Sequence, residues 1–225
     1  MVNDTTFVAI STFGVPRVVP SGFFHDSSVI SVVNRAGDDL AMIGTLARNL
    51  YFERSLAPLN YRFFAAATRT GFYIGNGRDA ELTEFRSNWR ERRTLLLPIE
   101  RKPITRADRD RLIDSYLRGV DEENRPAVAR RVQQGLVVDT FPAFTAIASS
   151  RAFIWLRMYA HADQGNDWLA IDPVALTAKR VTLPHRSIVL DATEDRVLVL
   201  MRDEMDRQEL GVYKTRPPNR EVHKP

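Results

Sequence analysis

At 225 residues and 25.6 kDa the chain is long enough to bury a core of its own, and its 44% hydrophobic and 27% charged residues exclude a disordered polymer. Cysteine is absent, which excludes disulfides, thiolate catalysis and cysteine-ligated zinc and leaves the redox compartment open. The formal charge of +4 and pI near 9.6 are a mild basic excess, but arginines and carboxylates are interleaved as on a solvated surface, which argues against a nucleic-acid-binding stripe.

The N-terminus lacks the basic stretch and apolar core of a secretory signal, and no apolar run reaches the length of a membrane span. Phe7–Ile10, Ser28–Val33 and Leu40–Gly44 are short β-branched runs around the turn Arg35-Ala-Gly-Asp-Asp, and they predict strands joined in hairpins. The same grammar returns at Tyr61–Ala67, Phe72–Gly75, Glu81–Phe85 and Thr94–Pro98.

Residues 105–135 change period. Thr105 with Asp108 three residues on has the form of a helix N-cap, Leu112, Ile113, Tyr116, Leu117 and Val120 fall on one helical face, and Gly119 offers a stop. A second helix is expected from Pro126, with Val128 and Val132 four apart, ending at Gly135. The segment reads as a helical insertion whose apolar stripe packs on the strands. It is either a lid or partner surface, or a structural cap over sheet edges.

Strands resume at Ala143–Ala148, Phe153–Tyr159, Asp167–Pro173 and Arg180–Pro184, then at Ser187–Leu190, Arg196–Leu200 and Leu210–Tyr213. Four short strands in a period of about 40–45 residues is the signature of β-propeller blades. The expected fold is therefore all-β, about four blades over residues 1–215 with the insertion near 105–135 and a disordered tail at 216–225.

Trp155, Arg157 and Tyr159 alternate along one strand and share a face. Trp155 is expected in the core, with Tyr159 a packing or ligand-facing residue. Arg157 must reach solvent, a carboxylate or a ligand, because an unpaired buried guanidinium is costly. His161 and His185 flank strands and complete the candidate ligand-binding set, whereas the four histidines share no metal-ligand spacing. Arg202-Asp-Glu-Met-Asp-Arg matches no calcium loop and reads as a hairpin turn, and Asp172-Pro as a β-turn. Ser149 and Ser150 have no nucleophile-elbow setting, no glycine-rich phosphate loop precedes a helix, and Arg86–Arg93 mixes one tryptophan with arginines as a solvated turn also does.

Phe72-Tyr-Ile-Gly-Asn-Gly, Pro103-Ile-Thr-Arg-Ala-Asp, Phe141-Pro-Ala-Phe leading to Phe153–Tyr159, and the closing Val197–Tyr213 together resemble the six-bladed β-propeller proteins related to the NHL and TolB-like propellers, over residues 26–215. The resemblance implies the C-terminal part of a six-bladed ring, commonly exported or periplasmic, and it transfers no catalytic motif. The leading reading is a non-enzymatic binding module, without a cofactor, whose protein or small-molecule partner sits at the mouth of the propeller channel or on the helical insertion. The alternative is a metal-dependent hydrolase or lyase similar to the propeller lactonases, with calcium held in the channel. An array that stops short of a ring is also expected to self-associate through its open faces and edges.

Overall fold

The computed structural model describes residues 6–13, 22–52, 55–59, 62–68, 71–86, 89, 91–150, 153–160, 165–193, 196–203 and 205–214. The expected tail at 216–225 lies outside them. The described part is mainly β, built from four antiparallel sheets whose strands pair in chain order. Sheet one holds β1 (Thr6–Phe13), β2 (Phe23–Asn34), β3 (Asp39–Phe52) and β4 (Ser55–Leu56). Sheet two holds β5 (Phe64–Ala67), β6 (Phe72–Gly75), β7 (Glu81–Phe85) and β8 (Arg92–Leu96). Helices α1 (Arg106–Leu117) and α2 (Arg125–Gly135) follow. Sheet three holds β9 (Phe144–Ser149), β10 (Ile154–Met158), β11 (Asn166–Asp172) and β12 (Thr177–Leu183), and sheet four β13 (Ile188–Ala192), β14 (Arg196–Arg202) and β15 (Gln208–Lys214).

The middle strands are apolar at successive positions because they are covered on both faces. On β6, Phe72 and Ile74 join a cluster with Ile30, Val32 and Ile43 of sheet one, while Tyr73 between them joins Leu156 and Ile171 of sheet three. On β10, Ile154 and Leu156 face sheet two and Trp155 faces Val197 and Val199 of sheet four. Alternation along each strand thus stacks the four sheets face to face in chain order. The opening strands β5, β9 and β13 lie side by side, with the Phe64 and Phe144 rings 5.4 Å apart. Gly75 permits that approach: a Cβ there would stand 2.6 Å from Leu82 Cδ2 and 2.8 Å from Phe144 Cζ.

An ion pair within sheet two, its carboxylate buried, also ties that sheet to the next. The Glu84 carboxylate accepts from Arg93 Nε at 2.7 Å and from the Tyr73 hydroxyl at 3.0 Å, and Arg93 Nη2 reaches across to the Pro173 carbonyl at 3.1 Å. Two donors thus satisfy a carboxylate that would be costly to bury alone.

Sheet one departs from the short strands expected of its sequence. β2 and β3 run for 12 and 14 residues, and their pairing shifts register at His25/Ser27, Ile30/Ser31 and Val32/Val33. Each extra residue bends and twists the strand that carries it, so the hairpin curls. Gly44, opposite Ile30 and beside the middle shift, takes φ +149°, which a side chain would resist.

Candidate binding surface

In an antiparallel meander the first strand starts where the second ends. The end of β8, the start of β9, the end of β10 and the end of β12 therefore lie at one end of sheets two and three, and the helical insertion stands on that end. Its neck is a short two-stranded ladder. Ile104 N–H donates to the Asp139 carbonyl at 2.8 Å, Phe141 N–H to the Lys102 carbonyl at 2.9 Å, and Arg101 donates to the Thr140 hydroxyl.

Thr105 and Asp108 form the complete capping box, hydroxyl to N–H at 3.2 Å and carboxylate to N–H at 3.0 Å, so the shorter aspartate reaches back as a glutamate would. One turn on, Arg109 clamps the far side of the neck, donating to the Leu136 carbonyl at 3.2 Å and the Val138 carbonyl at 2.9 Å. The helices pair with each other, and α2 rather than α1 makes the main contact with a strand. A Cβ at Gly135, the last residue of α2, would stand 2.9 Å from Pro58 Cδ, and Val132 is buried.

The expected apolar stripe does not pack on the sheets as the sequence suggested. Leu112, Ile113 and Leu117 are only half-buried, Tyr116 is exposed, and α1 contains no buried residue. Helix pairing shields one side of α1 and leaves the remainder in water. Burial raises the Tyr116 hydroxyl pKa, an effect that the Arg62 guanidinium partly offsets.

Three of the four residues expected to bind ligand fall among the described residues, and those three have separate surroundings. Tyr159 belongs to the neck: it stacks on Phe141 with centroids 4.6 Å apart and planes 18° from parallel, and burial together with the Asp108 carboxylate raises its hydroxyl pKa. Arg157 is half-buried at the bulge between β9 and β10, and its Nε donates to Thr145 Oγ1 at 3.3 Å. Of the expected outcomes for Arg157, solvent, a carboxylate or a ligand, its half-exposed position leaves solvent within reach, and among the described residues its side chain bonds to a hydroxyl. His185 is exposed in the turn after β12, and His161 lies outside the described residues.

The His185 turn is held by a residue that sequence reasoning passed over. Asn166 Nδ2 donates to the Pro184 carbonyl at 3.0 Å and to the Ser187 carbonyl at 2.9 Å, while its Oδ1 accepts from Trp168 Nε1 at 3.1 Å. The sequence signal was the pair Asn166-Asp167 opening a strand, where an amide is positioned to reach a neighbouring turn. Arg109 was likewise missed, being one arginine among many on a mixed-charge helix. A cleft of about 290 Å³ lies between sheets one and two, lined by Leu46, Phe63, Ile74, Asn76, Glu81 and Thr83.

Among the described residues no three or more of His, Asp or Glu gather in a way that could hold a metal ion, and no helix is long and apolar enough to cross a membrane. The chain matches no protein-family model, and no curated protein matches it.

Proposed function

We propose that the chain is a non-enzymatic interaction module of the six-bladed-propeller type, whose partner engages the helical insertion. The observation that carries this reading is α1: twelve residues, none of them buried, held in place by a capping box and the Arg109 clamp. A helix that adds little to the core yet is fixed at two points suits a presented surface better than a cap over sheet edges. The propeller reading draws support from the stacked meanders and from β5, β9 and β13 lying side by side. The partner surface is mixed in charge, with Arg106, Arg111 and Arg118 beside Asp110 and Asp114, and it includes the exposed Tyr116 ring, a composition suited to a protein partner.

Metal analysis of the purified chain, with thermal unfolding in excess calcium and in chelator, tests the reading. No stoichiometric cation and the same melting temperature in both conditions are expected. A cation bound one to one, or a calcium-dependent gain approaching the ~2.7 kcal/mol that a ligand supplies at a hundred times its dissociation constant, would overturn it in favour of a metal-dependent hydrolase.

A further inference from the structure

Sheet four is apolar on both faces and covered on one. Val189, Val197 and Val199 are buried against sheet three. On the opposite face the register aligns Ile188, Leu200 and Leu210 in one row, and Leu198 with Val212 in the next. Leu210 and Val212 are 63% and 65% exposed. Rows of aliphatic side chains on a sheet face are a surface made for cover, since water gains nothing from them and a second apolar layer does.

Charge selects the occupant. Arg202 ends this face on one side of the apolar rows and Lys214 on the other, with Asp191 its one acidic member among the described residues. Two copies joined sheet four to sheet four would set these cations against one another, which costs affinity. The complementary surface lies at the other end of the stack: Leu40 and Met42 of sheet one, 55% and 74% exposed, follow directly on Asp38 and Asp39. Met42 is paired opposite Ser31, between Ile30 and Val32, which point into sheet two, so Met42 faces away from it.

We propose that a second copy of this chain docks head to tail, the outer face of sheet one on one copy covering the open face of sheet four on the other. Two such contacts close a pair and cover both open ends, whereas a single repeated contact would run on as a filament. The contact does not involve the insertion, so its failure is distinguishable from failure of the proposed partner surface on α1.

Complementation between two variants tests it, read by size-exclusion chromatography with light scattering from about 1 to 100 μM, at low and high salt. The wild-type chain is expected to associate with rising concentration, more strongly at low salt. Leu210→Glu/Val212→Glu spoils sheet four and Leu40→Glu/Met42→Glu spoils sheet one. Each variant alone is expected to be monomeric with an unchanged far-UV spectrum and a cooperative melt that no longer shifts with concentration, and an equimolar mixture is expected to form a one-to-one pair from the surviving faces. That recovery also shows that both variants fold. A wild-type chain that stays monomeric throughout, a sheet-one variant that still pairs with itself, or a mixture that stays monomeric overturns the proposal.

Discussion

Trp155 and Trp168 sit one strand apart on the same face, both within 2% of full burial, and they differ in one atom's fate. Trp168 Nε1 donates to Asn166, whereas Trp155 Nε1 has no partner among the described residues. Replacing either by phenylalanine removes a comparable apolar volume and leaves a comparable cavity, so those losses cancel in the comparison. At Trp155 the change also deletes an unsatisfied donor, recovering about 1–3 kcal/mol of desolvation penalty. At Trp168 it deletes a bond with a net contribution of about 0.5–1.5 kcal/mol and leaves the Asn166 carbonyl oxygen short of a donor. Trp168→Phe is therefore expected to destabilise the fold more than Trp155→Phe by about 2 kcal/mol or more, while either alanine variant costs about 3–5 kcal/mol. Urea unfolding followed by far-UV circular dichroism measures this, since fluorescence would change with the tryptophans themselves. Equal costs, or a larger cost at Trp155, would refute the reasoning and imply that the Trp155 N–H is satisfied in solution.

Further outcomes follow from the same contacts. Asp167 is held below its ordinary carboxylate value by the Thr182 hydroxyl at 2.5 Å and by Arg180, against a smaller opposing effect of burial. A depressed folded-state pKa contributes stability that is present above the unfolded value near 3.8 and is lost as pH falls through the folded value. The cluster is largely open to solvent, so Asp167→Asn is expected to cost about 1 kcal/mol or less at pH 7 and nothing near pH 2, checked by urea midpoints at the two pH values; a cost that grows on acidification would contradict it. Thr105→Ala removes the capping box, worth about 1 kcal/mol of helix stability. Because α1 buries no side chain, the expected result is faster amide exchange confined to residues 106–117 with the global melting temperature unchanged, and a cooperative loss of the whole fold would show that α1 is integral to the core.

The strand grammar of the last third was legible from the sequence because β10 and β11 are largely buried and β14 carries apolar residues on both faces, so their apolar runs are continuous and their polar turns sharp. The two helices were equally legible, since the Thr105 cap, Gly119 and Gly135 are local signals that act through the backbone. Sheet one was not: its strands outrun their apolar segments because a bulge lets the ladder resume beyond Asp26 and Asn49, where the Asn49 N–H donates to the Asp26 carboxylate, and bulges depend on the pairing partner rather than on the strand that carries them. The fate of the α1 stripe was also beyond the sequence, because periodicity marks a face without naming what covers it. Tertiary packing likewise separated Arg157, Tyr159 and His185, joining one to a hydroxyl on the neighbouring strand, stacking one on the insertion neck and leaving one in a turn that Asn166 holds. Residue types and their alternation determine which side chains leave water; which of them meet depends on how the sheets stack, and contacts between residues distant in the chain set that.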